Sequence, residues 1–299
     1  GADNRSSSRH DEIVKGILRI LSVVIVAAVV VGITLGLRPV NHANGWSFDR
    51  HRKPSVATSS APASVVAVRS APGLTGHGGT LGTVGLGDSV PQGSACRQCV
   101  TFIERVGTDM AHRASVRASV GNESVSGYKT TDVLTQLESP GTRTLLKTAD
   151  LAIVTIGAND FDVDKIVARC AHADASCVEG DVDAVIGRVR TILERIKAAM
   201  TTPDATVVVT GYWNVGMDGK VGREQGKDYS HVTNTITKVF NSQVEDIADE
   251  IGVVYVDVRT PFKGADGKRD DTELLAEDGD HPSQTGHAVL AKAVEAELP

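Results

Sequence analysis

Three short runs constrain this chain more than anything else in it: Leu151-Ala152-Ile153-Val154-Thr155-Ile156, Thr206-Val207-Val208-Val209-Thr210 and Val253-Val254-Tyr255-Val256. Each is apolar almost without interruption and rich in β-branched residues, so each is expected to be a strand. A strand with one face in water alternates polar and apolar residues. One that does not alternate is buried on both faces, which requires a parallel sheet covered by helices on each side. The segments between the runs supply those helices. Val182, Val185, Ile186, Val189, Ile192, Leu193 and Ile196 recur at spacings of three and four. Val232, Ile236, Val239, Phe240, Val244, Ile247 and Ile251 do the same, and Leu290, Val294 and Leu298 close the chain. The pattern predicts a three-layer α/β/α fold around a central parallel sheet, with ligands at the C-terminal ends of the strands.

At 299 residues and 23% charged, the chain suits one domain of about 200 residues plus appendages. Its formal net charge of -6 leaves no basic footprint, which excludes nucleic acid as a partner. Residues 1–15 are polar and mixed in charge, as expected of a flexible cytoplasmic tail. From Ile20 to Leu37 there is no charge at all. Such a run spans roughly 27 Å as a helix, close to the hydrocarbon thickness of a bilayer. Residues 16–38 are therefore predicted to be a transmembrane anchor. The alternative is a cleaved signal peptide and a secreted protein, against which Val40-Asn41-His42-Ala43 is a poor small-x-small site. Residues 39–80, rich in Ser, Ala, Pro and Gly, are expected to be a linker, with Ser64-Val65-Val66-Ala67-Val68 the one stretch in it that reads as strand-like. The folded domain is expected over 81–299, as a monomer.

Basic residues flank the apolar run on both sides, so charge does not orient it: Arg5, Arg9, Lys15 and Arg19 precede it, and Arg38, Arg50, Arg52 and Lys53 follow. The cysteines decide. They come as two close pairs, Cys96/Cys99 and Cys170/Cys177. A Cys-x-x-Cys redox motif would need a thioredoxin-like context, and a zinc site would need the two pairs to converge. Two local disulfides are the simpler account downstream of a membrane segment, and they place the domain outside the cytoplasm.

The chemistry rests on three further stretches. Thr83-Val84-Gly85-Leu86-Gly87-Asp88-Ser89-Val90 reads as an apolar strand running into a Gly-Asp-Ser turn, which would hold the Ser89 hydroxyl rigidly at the edge of the sheet. Gly157-Ala158-Asn159-Asp160 follows the buried strand ending at Ile156, and the Asn159 amide could donate to an oxygen that becomes negative in acyl transfer. A plain turn is the alternative reading of that block. His281, in Asp278-Gly279-Asp280-His281-Pro282, precedes the last helix, for which Ser283 or Thr285 is the candidate N-cap. Asp278 is the preferred orienting carboxylate; Asp280 is the alternative, disfavoured because adjacent side chains of an extended segment diverge. His287 is read as a packing or capping histidine. Trp213, in Tyr212-Trp213-Asn214-Val215, is read either as lining the cleft or as packing.

Taken together, Gly87-Asp88-Ser89, Gly157-Ala158-Asn159-Asp160 and Asp278-Gly279-Asp280-His281-Pro282 resemble the ordered blocks of the SGNH, or GDSL-type, hydrolases over about residues 81–299. The second block of that family corresponds to Val125-Ser126-Gly127, followed by Thr130-Thr131-Asp132-Val133-Leu134, where family members often begin a helix. Two departures stand out: Val90 follows the serine where Leu is usual, and Tyr128-Lys129 is unusual after the glycine. The resemblance implies a serine esterase acting on acyl esters of lipids or saccharides. Ser89 would be the nucleophile, His281 the base and then the acid, and Asp278 its orienting partner. The backbone amides of Ser89 and Gly127 and the side chain of Asn159 would form the oxyanion hole. No metal or organic cofactor is implied. An acyltransferase using the same residues, or a catalytically silent envelope-binding module, are the alternatives.

Overall fold

The computed structural model describes residues 73–299. Five strands, β1 (Thr80–Gly87), β2 (Arg117–Asn122), β3 (Leu151–Thr155), β4 (Thr206–Thr210) and β5 (Val254–Val256), form one sheet in the order β2-β1-β3-β4-β5. All four pairings are parallel. The chain steps from β1 outward to β2 and then returns to the other side of β1 as β3. Between β1 and β3 the connections diverge to opposite faces, and this crevice at the carboxyl ends of the strands is where doubly wound sheets bind ligands.

The described helices are α1 (Ser89–Gln92), α2 (Phe102–Arg113), α3 (Thr130–Gln136), α4 (Pro140–Lys147), α5 (Val163–Cys170), α6 (Ser176–Ala199), α7 (Gly219–Glu224), α8 (Lys227–Ile251), α9 (Arg259–Lys263) and α10 (Gln284–Glu297). On one side α6 packs on α8, and on the other α2 packs on α10. Helix starts follow local chemistry. Thr101 and Glu104 form a reciprocal capping box at α2, Ser139 caps α4 ahead of Pro140, and Ser283 caps α10 through Gly286 N.

The sheet is the centre of the core. All five residues of β3 and all five of β4 are buried. Each fully buried Val, Leu or Ile contributes on the order of 1.5–3 kcal/mol, so these unbroken runs can exist only where helices cover both faces. The apolar stripes expected over 182–196 and 232–251 are the buried faces of α6 and α8.

Two features differ from the reading of the sequence. The edge strand β2, Arg-Ala-Ser-Val-Gly-Asn, went unanticipated because it is exposed or half-buried along its whole length and shows no apolar run. Residues 73–80, expected to be the end of the linker, pack onto the domain. Leu74 is buried in the core, and the His77 ring bonds to the Asp150 carboxylate, which also accepts Gly82 N at 2.7 Å. Among the described residues no helix is long and apolar enough to cross a membrane. The anchor expected at 16–38, the tail before it and the linker up to residue 72 lie outside them.

Candidate functional site

The end of β1 is a sharp corner that only glycine can make. Gly87 has φ +138, and a Cβ there would lie 1.9 Å from the Thr155 carbonyl oxygen. That close approach lets Asp88 N donate to Thr155 O at 3.1 Å, so the turn after β1 is pinned to the end of β3. Asp88 then caps α1, its Oδ1 accepting Val90 N at 3.0 Å. Ser89, half-buried, occupies the first position of α1, where a helix leaves the backbone N–H without an intrahelical acceptor. Its carbonyl accepts Gly93 N at 3.1 Å and Ser94 N at 3.0 Å. From the neighbouring strand, Asn122 Nδ2 donates to Pro91 O at 2.7 Å. The serine is thus fixed by its backbone from both sides.

The segment after β3 forms a single 3-10 turn, Ala158–Asp160. Asp160 holds it in place by accepting Thr130 N at 2.9 Å, Thr130 Oγ1 at 2.6 Å and Arg188 Nη2 at 3.0 Å. Its side chain is 4% exposed, while that of Arg188 is half-buried. Asn159 donates from Nδ2 to Tyr128 O at 3.0 Å. A primary amide nitrogen carries two N–H bonds, and one remains after this contact. Gly127 is exposed at φ +79, in a turn closed by Tyr128 N donating to Val125 O at 3.1 Å. The same segment hangs on β1 through Val125 N to Gly87 O at 3.0 Å. The structure therefore brings Ser89, Gly127 and Asn159 to the one edge where β1 and β3 part.

His281 sits on a small lobe before α10. The lobe closes on itself through Gly279 N to Ala276 O at 3.0 Å, Ala276 N to His281 O at 2.8 Å, and a bridge between Leu275 and Pro282. Asp278 Oδ1 accepts Asp280 N at 3.0 Å and His281 N at 3.1 Å, while its Oδ2 meets His281 Nδ1 at 2.7 Å. Partial burial pushes the Asp278 carboxyl up, but the hydrogen bonds from Asp280 and His281 outweigh it and hold the group below its ordinary value. An anionic Asp278 on Nδ1 leaves Nε2 as the working nitrogen. Asp280, the alternative partner, is the more buried of the two and makes no hydrogen bond to the ring; burial raises its carboxyl.

Two site residues escaped the sequence reading. Asp88 was legible only as part of a turn, yet its carboxylate is buried, with Oδ2 hydrogen-bonded by the Tyr212 hydroxyl. Burial lifts Asp88 to about 7, against the lowering effect of the Tyr212 and Val90 hydrogen bonds. The same hydroxyl accepts Ala158 N at 3.4 Å, so Tyr212 ties the serine turn to the asparagine turn. Asn241 holds Tyr212 by its backbone, accepting Tyr212 N at 3.0 Å and donating to Tyr212 O at 2.8 Å. The available signal was a tyrosine directly after a buried strand, whose hydroxyl must find a partner when buried. Trp213 does not line a cleft. It is 1% exposed and stacks on Phe262 with centroids 4.5 Å apart. His287 packs and caps: Phe102 N donates to its Nδ1 at 3.3 Å at the start of α2, and burial pushes it down to about 4, hence neutral.

Cys96 pairs with Cys99, and Cys170 with Cys177, with Cα atoms 5.3 Å and 5.9 Å apart. The first pair staples the loop after α1, and the second joins the end of α5 to the start of α6.

Residues 86–289 match the GDSL-like Lipase/Acylhydrolase family. Among curated proteins, no sequence matches. Among solved structures, the chain is similar to a lipase from a goat rumen metagenome at 19% identity and a TM-score of 0.60, covering 73% of this chain and 97% of the other. It is similar to a phospholipase A1 from Streptomyces albidoflavus NA297 at 21% identity and a TM-score of 0.51, covering 72% and 98%. A variant acetyl xylan esterase from Geobacillus stearothermophilus shares 22% identity at a TM-score of 0.51, covering 75% and 96%. At these identities the likeness speaks for the fold.

Proposed function

The chain belongs to the GDSL-like lipase/acylhydrolase family, and on that premise we propose that it hydrolyses carboxylic esters through an acyl intermediate on Ser89. The observation that carries this reading is the 2.7 Å bond between Asp278 Oδ2 and His281 Nδ1. Ser89 Oγ attacks the acyl carbonyl as His281 Nε2 takes its proton, and the carbonyl electron pair moves onto oxygen. That oxyanion is met by the N–H groups of Ser89 and Gly127 and the remaining N–H of Asn159. As the tetrahedral intermediate collapses, the ester C–O bond breaks and the leaving alcohol takes the proton from His281. Water then repeats the sequence and frees the acid. The test is a substrate panel of short- and long-chain esters, acetylated oligosaccharides and phospholipids, with a fluorophosphonate label mapped by peptide mass. Turnover of at least one ester and a label on Ser89 are expected; a label elsewhere would reject the assignment. Acyl transfer to added sugar alcohols in preference to water would move the reading to an acyltransferase.

The pH dependence should carry the mark of Asp88. The ionised carboxylate is the stronger acceptor for Val90 N at the start of α1 and for the Tyr212 hydroxyl, the two bonds that hold the serine turn, so it is the productive form. Activity should therefore rise through about 7 as Asp88 loses its proton. The Tyr212 hydrogen bond lowers Asp88, so Tyr212→Phe is expected to move the acid limb of kcat to higher pH. A move to lower pH would mean that neutral Asp88 is the working form. For stability the sign is opposite. A carboxyl raised in the folded state stabilises fully below its unfolded value, and that stabilisation is lost as pH rises through about 7.

We further propose that residues 16–38 anchor the protein and that the domain lies outside the cytoplasm, a reading supported by the uncharged run Ile20–Leu37 and the absence of free thiols among the described residues. Non-reducing peptide mapping of protein taken from its native membrane should find Cys96–Cys99 and Cys170–Cys177. Four free thiols there would overturn both the pairing and the topology. Reduction of the Cys170–Cys177 link should cost about 2 kcal/mol, on chain-entropy grounds, and lower Tm by roughly 4–8 °C.

A further inference from the structure

The lobe bearing Asp278 and His281 is held to α10 at its base, where Ser283 N donates to Leu274 O at 2.9 Å, and reaches out to α7 at its tip. A cavity of about 460 Å³ lies between α7 and the lobe, lined by Val221, Thr272, Leu275, Ala276 and Gly279. What spans to the lobe is a backbone contact: Asp218 N donates to Gly279 O at 2.7 Å. Gly279 is held close by shape as well. It has φ +69, and a Cβ would fall 2.5 Å from Val221 Cβ and 3.0 Å from Asp218 O. The tip of the lobe is therefore tied to the position of Asp218.

Asp218 is in turn held by a buried cation. Its Oδ1 accepts Lys263 Nζ at 2.7 Å and Gly219 N at 2.9 Å, and its Oδ2 accepts Asn214 Nδ2 at 3.0 Å. Lys263, at the end of α9, is only 7% exposed. Its Nζ also lies 3.4 Å from Asp271 Oδ2, on a side chain that is fully buried and has no hydrogen-bond partner. Asp271 begins the segment that leads into the lobe, and burial together with the charge of Asp218 raises its carboxyl. One ammonium thus bridges the carboxylate at the entrance of the segment and the carboxylate beneath its tip. Burying three charges for stability alone is a poor bargain, since apolar side chains of similar volume often do as well or better. The other links from α7 to the segment, Arg223 to Asp270 at 3.0 Å and Lys220 N to Thr272 Oγ1 at 2.8 Å, involve exposed groups and are worth little.

We propose that Lys263 is a positioning residue of the catalytic lobe, fixing Asp278 and His281 through its bridge between Asp218 and Asp271. This rests on the reading of His281 as the base. A displacement of about 1 Å in a catalytic group can cost on the order of 100-fold in rate without touching the substrate contacts. Removal of the bridge should therefore lower kcat and spare KM on a small ester.

The experiment compares Lys263→Met, Lys263→Arg and the double variant Lys263→Met/Asp271→Leu with the unaltered full chain. The double variant removes one charge of each sign and leaves Asp218 its Asn214 and Gly219 donors, so it remains informative if Lys263→Met does not fold. Each is assayed on a short p-nitrophenyl ester well below its own unfolding midpoint, with fluorophosphonate labelling rates measured alongside. The double variant is expected to lose about 10–100-fold in kcat and in labelling rate with KM within about twofold. Lys263→Arg, which keeps a cation that can reach both carboxylates, should recover most of that loss. A folded double variant with undiminished kcat would overturn the proposal, as would loss in Lys263→Arg equal to that in the double variant. A His281→Ala control separates the two readings. If it still turns over ester, the assignment of the base has failed; if it is inactive while the double variant is fully active, only the positioning role has failed.

Discussion

Replacement of Ser89 by alanine is expected to lower kcat for ester hydrolysis by about 10⁴–10⁶-fold. The prediction follows from what Ser89 contributes to the fold and what it does not. The backbone is what the turn uses: the Ser89 carbonyl takes Gly93 N and Ser94 N, Asp88 N before it donates to Thr155 O, and the Asp88 and Asn122 side chains fix Val90 and Pro91 after it. The hydroxyl is the part that alanine removes, so the variant should keep its stability to within about 0.5 kcal/mol. Without that oxygen no acyl-enzyme can form, and only the oxyanion donors remain to assist attack by water. The measurement is kcat on a short p-nitrophenyl ester together with Tm. Undiminished turnover in a folded variant would remove Ser89 from the mechanism, and with it the reading of the family blocks in this chain. Loss of both activity and Tm would instead reveal a structural role for the hydroxyl that the surrounding hydrogen bonds do not suggest.

How much of this was legible in the sequence depended on whether the signal was local. β3 and β4 could be read because burial on both faces leaves an unbroken apolar run, and α6 and α8 because one-sided burial leaves a helical stripe. The Asp278–His281 pair could be read because three residues separate the partners and a tight turn joins them. β2 could not, because an edge strand with half-exposed residues has neither kind of pattern. Nor could the end of the linker, where Leu74 gains its burial from a distant core. The same limit hid the residues that support the site. Tyr212 reaches Asp88 across 124 positions, Arg188 reaches Asp160 across 28, and Lys263 reaches Asp218 across 45. None of these partners leaves a trace in the local sequence of the other. What the sequence displays are the groups that would touch the substrate; what the fold adds are the charged and hydroxyl groups that hold them.

That division bears on the second large effect expected here, in the proposed oxyanion hole. Asn159→Ala should lower kcat by about 10²–10³-fold, roughly 3–4 kcal/mol in the transition state, and change KM much less. The asymmetry arises because a neutral ester carbonyl accepts a weak hydrogen bond, whereas the tetrahedral oxyanion accepts a strong, charge-assisted one. Geometry makes the donor ready in advance. Asp160 locks the turn to Thr130 and Arg188, and Tyr128 O takes one of the two N–H bonds of Asn159, which orients the other. Alanine removes the donor and leaves the lock intact, because Asp160 and not Asn159 makes those bonds. Asn159→Asp is the more demanding comparison. It is nearly the same shape, but its carboxylate would face Tyr128 O and the developing negative charge with no N–H to offer, so it should be at least as damaging as alanine. Steady-state kcat and KM on one small ester, with Tm as a check on folding, distinguish the outcomes. A rise in KM with kcat preserved would make Asn159 a ground-state contact for the substrate. The oxyanion would then depend on the backbone donors of Ser89 and Gly127 alone.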